Sequence, residues 1–381
     1  MISPKYFIDT LGANGIDFYA GVPDSLLKQV CAYMADHVDN HHYIIAANEG
    51  GAVGLAAGYH LATGRIGMVF MQNSGEGNAI NPLASLMDKD VYNIPVLLLI
   101  GWRGEPGVHD EPQHVKQGKV TLPLLDVMGI RHALLSKDEA EAAQQVKDAV
   151  RYMTETNEPF ALVVEKDTFS PYTLQQPKES SLMLSREKAV QMVAAAVGKD
   201  DVIVSTTGMI SRELFEYRAA QGQSHEQDFL TVGSMGHASQ IALGIALARP
   251  DRTVWCFDGD GAVLMHFGAM PIVGSLAPKN LVHVVFNNGA HDSVGGQPTV
   301  GLDLEFLELA EVFGYHMANS VSTEEHLADV LEYLPQWIAK KNGPYFLEIR
   351  VKKGNRSDLG RPTTTPLENK QAFMDFLKAT K

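Results

Sequence analysis

The sequence predicts an α/β fold made of two similar doubly wound domains, each built on a parallel sheet. Three observations predict it. Strand-length apolar runs alternate with helical patterns, as in parallel sheets covered on both faces. At 381 residues the chain is long for one domain and comfortable for two. An internal copy also runs through it. Ser136-Lys137-Asp138-Glu139 opens a helix that ends before Glu158-Pro159-Phe160, and Ser322-Thr323-Glu324-Glu325 opens another that ends before Gly343-Pro344-Tyr345. The serines lie 186 positions apart and the prolines 185. Capping box, helix, proline and strand in one order read as one plan used twice.

Taken in order, residues 4–13 read as a helix and 17–20 as a strand entering the turn Gly21-Val22-Pro23-Asp24-Ser25. A helix to about Asp36 leads to strand 43–46 and to Asn48-Glu49-Gly50-Gly51, followed by a small-residue helix over 52–63. Strand 66–71 enters Asn73-Ser74-Gly75, helix 76–88 follows, and strand 96–100 feeds a long polar loop over 101–119. The first domain is expected over 1–167. Residues 168–184 read as a linker, where Ser, Pro, Gln and Lys displace the apolar pattern. The second domain is expected over 185–381. Its strands end at Val204-Ser205-Thr206-Thr207-Gly208, near Phe229-Leu230, at 253–257 and at 281–286, with a last helix near 366–379.

Composition excludes several classes. The apolar runs are strand-sized, too short to span a bilayer, and the N-terminus lacks the layout of a secretion signal. Two cysteines make no disulfide framework, so Cys31 and Cys256 read as packing residues of a cytoplasmic protein. A net charge of −14 disfavours nucleic-acid and membrane partners, and an anionic substrate would need a locally basic site.

Chemistry concentrates first between Gly259 and Ala290. Gly259-Asp260-Gly261 closes one apolar strand, and Asn287-Asn288-Gly289-Ala290 closes the next after a helix. Parallel neighbours end at the same sheet edge, so Asp260 and Asn288 should meet there although 28 positions apart. A carboxylate, an amide oxygen and a backbone carbonyl form a hard-oxygen set suited to Mg²⁺ with a phosphate group. Taken singly, Asp-Gly and Asn-Gly are turn dipeptides; both together at two strand ends point to a site. Thr207 and Gly208 precede a helix start whose backbone N–H groups attract phosphate oxygens.

In the first half, Glu49 stands between a strand and a helix, where a surface Glu would serve the helix dipole. Asp24 and Ser25 lie on one strand-end turn, and Asn73 and Ser74 on another whose amide and hydroxyl suit a carboxylate or a helix cap. In the 101–119 loop, Arg103 offers a planar fork for two oxygens, and His109 and His114 can protonate toward a dianion.

The GDG…NN spacing resembles the signature of thiamine-diphosphate enzymes. The resemblance implies a pyrimidine-binding first domain and a diphosphate-binding second domain, and the 17 residues of 168–184 leave no room for the middle domain that larger members insert. It also implies an active site shared between subunits of a homo-oligomer, at least a dimer. On that resemblance Asp260, Asn288 and the carbonyl of Ala290 would bind Mg²⁺. Gly259, Gly261, Ala262, Thr207 and Gly208 would join the cofactor site. Gly233 and Ser234 would grip its pyrimidine, and Met235 would prop the cofactor into a bent shape. Glu49 would hydrogen-bond the pyrimidine ring, its pKa raised by apolar surroundings so that it shares a proton. The segments GVPDS, NEGGAVGLAAGY, QNSGEGN and STTGMISREL, with the WRGEPG…DEPQH loop, are similar to the phosphonopyruvate and sulfopyruvate decarboxylase branches of the family. The implied reaction converts the 2-keto acid 3-phosphonopyruvate to phosphonoacetaldehyde and carbon dioxide, with Asp24, Ser25, Asn73, Ser74, Arg103, His109 and His114 toward the substrate. Sulfopyruvate decarboxylation, a carboligase and a non-catalytic cofactor-binding protein are the alternatives. The carboligase lacks room for its middle domain and the non-catalytic protein has no need of Glu49.

Overall fold

The computed structural model describes residues 1–175 and 180–379. The chain divides into two compact units, Met1–Lys178 and Glu179–Lys381. In the first, strands β1 (Tyr19–Gly21), β2 (Tyr43–Ile45), β3 (Gly67–Gln72), β4 (Val96–Gly101), β5 (Arg131–Leu134) and β6 (Phe160–Val164) form one sheet in the order β2-β1-β3-β4-β6-β5. Every pairing is parallel.

The second unit carries β7 (Val202–Ser205), β8 (Asp228–Leu230), β9 (Val254–Gly259), β10 (Leu281–Asn287), a small hairpin of β11 (Ala290–His291) and β12 (Gln297–Pro298), then β13 (Met317–Val321) and β14 (Tyr345–Arg350). Its large sheet has the order β13-β14-β10-β9-β7-β8, again parallel throughout. With the hairpin set aside and the sheet read from its β8 edge, this is the strand order of the first unit. The internal copy is therefore a repeated topology. Between β6 and β7 the described residues hold one helix, Arg186–Ala196, and no third sheet.

Both faces of each sheet are buried, which explains the unbroken apolar runs. In β3, Met68 and Phe70 join one core while Val69 and Met71 join the other. In β9, Trp255 and Phe257 face one core and Val254 and Cys256 the opposite one. Each fully buried side chain of this size contributes ~1.5–3 kcal/mol. The two strands of the large sheets missing from the sequence reading, β5 and β13, sit beside β6 and β14 at equivalent sheet edges. They are only partly buried, so Arg131-His132-Ala133-Leu134 and Met317-Ala318-Asn319-Ser320-Val321 never needed an apolar run.

Two boundaries differ from expectation, and the expected linker 168–184, within which the two units divide, is held at both ends. Ile2 N donates to Thr168 O and Ser170 N to Ile2 O, both at 2.8 Å, Phe169 packs on Phe7, and Lys352 N donates to Leu184 O at 2.8 Å. Residues 176–179 of that stretch lie outside the described residues. The helix caps fall later than the expected boxes: Asp138 accepts from Ala140 N and Glu141 N, and Thr323 from His326 N. The polar stretch 101–119 is a loop only to Glu111, because Pro112 starts the helix Pro112–Val127.

In each sheet the chain runs outward from its first strand to its second and then crosses back to its third. The loops after β1 and β3, and those after β7 and β9, therefore diverge at the carboxyl edge, where open α/β sheets place ligands.

Candidate functional site

In the first unit the carboxyl edge centres on Glu49. Asn48 caps the helix Glu49–Thr63 by accepting from Gly51 N at 2.8 Å, which places Glu49 in the first helical position. Its side chain is turned inward: Glu49 is 4% exposed, and Asn78 Nδ2 donates to its Oε2 at 2.7 Å. Burial raises the Glu49 pKa, with the Asn78 bond opposing. A residue serving only the helix dipole would sit in solvent. Close approach shapes the neighbours too, since a Cβ on Gly75 would lie 2.2 Å from Glu49 Oε1.

The other first-unit candidates are largely engaged with one another. Asp24 is fully buried, accepts from Gln72 Nε2 at 2.6 Å and from Leu26 N at 2.8 Å, and a Cβ on Gly101 would stand 2.2 Å from its Oδ2. It fastens the ends of β1 and β3, close against the end of β4, with both carboxylate oxygens engaged. Asn73 likewise ties two strand ends, donating to Arg103 O at 2.8 Å and Thr121 Oγ1 at 2.9 Å and accepting from Arg103 N. Ser74 is exposed and donates to Gln72 Oε1.

The Arg103 fork is filled by Asp110, which takes Nε at 2.8 Å and Nη2, while Nη1 donates to Ser25 Oγ at 2.7 Å. The expectation of an open fork is corrected: a carboxylate of the same loop already holds it. His114 also departs from expectation. It is buried in the first turn of Pro112–Val127, and burial together with the Arg103 charge lowers its pKa, so it is not poised to charge near neutral pH. Of the three basic candidates Arg103, His109 and His114, only His109 is exposed.

Three contributors were not singled out from sequence: Asn78, Asp110 and Glu76. Glu76 is 3% exposed, and burial pushes its pKa up to about 8 against a bond from Thr121. All three lie within segments noticed for other residues; the partners of Asn78 and Glu76 come from other elements, and that of Asp110 from earlier in its own loop.

In the second unit the expected convergence is present. Asp260 opens the helix Asp260–Met265 directly after β9, buried at 2%. Asn288 N donates to Asp260 Oδ1 at 3.3 Å, and Ala290 N donates to Asn288 Oδ1 at 3.0 Å. The Thr299 hydroxyl donates to Asp260 Oδ2, and a Cβ on Gly301 would lie 2.6 Å from that oxygen. Burial pushes Asp260 up to about 6, with Asp292 adding. Asn287 is structural: Nδ2 donates to Gly301 O and Glu348 Oε1.

Around this centre, Gly233 N donates to Thr207 Oγ1 at 3.2 Å, joining the loops after β7 and β8. Gly208 caps the helix Met209–Ala220 with φ +103, a conformation glycine adopts freely. Met235 and Gly261 come together, for a Cβ on Gly261 would stand 3.4 Å from Met235 Cε and 2.7 Å from His291 Cε1. Gly259 caps the Asp260 helix, Ala262 is buried within it, and Ser234 takes φ +48 in the loop that carries Met235. Thr299, Gly301 and Asp292 were missed, having no spacing signal to mark them. Cys31 and Cys256 are buried free thiols with raised pKa values, in keeping with packing roles.

The arrangement offers a buried carboxyl with a raised pKa in one unit and a buried carboxylate–amide pair beside a glycine cradle in the other. Two family models account for that division. The N-terminal TPP binding domain of thiamine pyrophosphate enzymes matches residues 4–126, and the C-terminal TPP binding domain matches residues 206–349. Full-length relatives agree. A phosphonopyruvate decarboxylase of Streptomyces viridochromogenes is 32% identical over 99% of this chain and 95% of its own length. The chain belongs to the thiamine pyrophosphate enzymes. A second phosphonopyruvate decarboxylase, of Streptomyces hygroscopicus, is 32% identical over 99% of this chain and 94% of its own. A sulfopyruvate decarboxylase of Methanosarcina acetivorans is 28% identical over 98% and 97%. As a thiamine pyrophosphate enzyme, the chain carries one of the family's binding domains in each repeat of the sheet. Among the described residues no helix is long and apolar enough to cross a membrane.

Proposed function

We propose that this chain is a cytoplasmic thiamine-diphosphate- and Mg²⁺-dependent decarboxylase that converts 3-phosphonopyruvate to phosphonoacetaldehyde and carbon dioxide. The observation that carries the reading is the end-to-end similarity to two phosphonopyruvate decarboxylases at 32% identity. The residues present fit the implied cofactor and metal. Asp260 is a buried carboxylate whose direct partners are neutral, a hydroxyl and a backbone amide, so a divalent cation would offset its burial. Glycine at 301 keeps space beside it.

Asp260, Asn288 and the Ala290 carbonyl would hold Mg²⁺, and the N–H groups after Gly208 would receive diphosphate oxygens. Thiamine diphosphate, when bound, supplies the electron sink that decarboxylation of a 2-keto acid requires. Glu49 would hold a proton at Oε1 or Oε2 toward the pyrimidine ring, with Asn78 fixing one oxygen and Gly75 admitting the other. Met235, beside Gly261, would bear on the cofactor's shape. On the substrate side, the loop from Trp102 to Glu111 would recognise the phosphonate through Arg103, exchanging Asp110 for the dianion, with the exposed His109 beside it. Asp24, Asn73 and Ser74 would support that loop from the strand ends. We read the assembly as at least a homodimer with the active site shared between subunits.

Purified protein is supplied with Mg²⁺, thiamine diphosphate and, in turn, phosphonopyruvate, sulfopyruvate or pyruvate, and carbon dioxide release is followed. Phosphonopyruvate should turn over fastest. Equal or faster release from sulfopyruvate would transfer the assignment to that acid.

A further inference from the structure

Asp292 lies four residues beyond Asn288, outside the expected ligand set, and one of its oxygens gathers three donors. Asn288 Nδ2 reaches Asp292 Oδ2 at 2.7 Å, Arg186 Nη1 at 2.6 Å and Gly354 N at 3.0 Å. Arg186 is itself clamped. Its Nε and Nη2 donate to the Glu213 carboxylate at 3.0–3.2 Å, and the side chains of Arg186, Glu213 and Asp292 are 5%, 1% and 7% exposed. The Arg186 charge thus faces two carboxylates on different segments, and Gly354 adds a backbone donor from beyond β14. A buried charge held this way cannot swing without leaving partners unpaired.

The consequence falls on Asn288. A carboxylate only accepts, so the end of the Asn288 amide that faces Asp292 must be the nitrogen. The amide oxygen is thereby turned away, to where Ala290 N donates to it at 3.0 Å, and it keeps its other lone pair. Two bonds from opposite sides fix the same orientation of the amide.

We propose that Asp292 is a positioning residue of the metal centre: anchored by Arg186 and Gly354, it holds Asn288 so that the amide oxygen is offered as ligand. This rests on the reading of Asp260, Asn288 and Ala290 as the metal ligands. Groups that orient metal ligands typically govern affinity by about 10–100-fold when removed. Because all three donors converge on a single Asp292 oxygen, an amide oxygen can take its place. Asp292→Asn should therefore preserve the orientation, whereas Asp292→Ala and Asp292→Leu should not.

The test titrates Mn²⁺ into the full chain with thiamine diphosphate present and reads free Mn²⁺ by electron paramagnetic resonance, with thermal unfolding recorded for each variant. Asp292→Ala should weaken Mn²⁺ at least about tenfold, and Asp292→Asn should stay within about threefold of the unaltered protein. Asp292→Leu, which fills the volume without an acceptor, carries the same expectation should the Ala variant not fold. Wild-type affinity in folded Asp292→Ala or Asp292→Leu overturns the proposal, as does an Asn variant that falls as far as the Ala variant. If the unaltered protein takes up Mn²⁺ no better than Asp260→Asn does, the ligand reading itself fails, a result distinct from either.

Discussion

The two units share one strand order yet surround their buried carboxyls differently. In the first, Glu49 is enclosed with a neutral partner, Asn78, and burial raises its pKa toward holding a proton. In the second, burial likewise raises Asp260 between an amide and a hydroxyl, but a charged cluster stands nearby, where Arg186 pairs with both Glu213 and Asp292. The acidic groups also hang on different loops. Glu49 follows β2, an edge strand of its sheet, whereas Asp260 and Asn288 follow the central neighbours β9 and β10. A repeated fold thus leaves chemistry free to differ, because the strand-end loops carry it. On the proposed function, the first unit keeps a proton and the second gathers a cation.

A matched pair of glycine substitutions tests that division with the largest effects. Gly301→Ala would place a methyl 2.6 Å from Asp260 Oδ2 and should weaken divalent-ion binding about tenfold or more. Gly75→Ala would place one 2.2 Å from Glu49 Oε1. It should lower turnover about a hundredfold, the scale of a displaced acid–base group, with Mn²⁺ affinity little changed. Calorimetric Mn²⁺ titration and steady-state kinetics on both variants separate the two; matching losses in both observables would break the comparison.

A smaller effect concerns pH. Glu76 is pushed up to about 8 in the fold, against about 4.3 in an unfolded chain. The native state then binds the extra proton, so Glu76 supports stability at low pH, and that support is lost as pH rises from about 4 through about 8. Glu76→Gln should flatten this slope and raise stability at pH 8 by about 1–3 kcal/mol in urea unfolding. An unchanged slope would show that Glu76 ionises freely. Smaller still, Arg103→Ala should raise KM for phosphonopyruvate several-fold more than for pyruvate, as expected for loss of one charge-assisted contact. Equal changes for both acids would remove Arg103 from phosphonate recognition.

These residues also show how far the sequence could be read. Asp260, Asn288 and Ala290 were legible because adjacent parallel strands must end at one edge, so a linear spacing became a spatial one. Glu49 was legible as a residue, but its enclosure was not, since Asn78 and Gly75 reach it from another strand-end turn. Asp24, Asn73 and Arg103 sit on strand-end loops that the sequence marks, but residue type alone does not reveal their partners. Those partners, Gln72, Thr121 and Asp110, are set by tertiary placement. Edge strands β5 and β13 escaped for a related reason: half-buried backbone needs pairing and no apolar run. Asp292 had no signal, because its role runs through Arg186, 106 positions away.

The division between the units is tested most directly by comparing Glu49→Gln with Asp260→Asn for thiamine diphosphate binding, followed calorimetrically with Mg²⁺ present, and for carbon dioxide release. Glu49→Gln should keep much of the cofactor binding and lose turnover, while Asp260→Asn should lose the Mg²⁺-dependent binding itself. Full turnover in Glu49→Gln, or undiminished Mg²⁺-dependent binding in Asp260→Asn, would contradict that division.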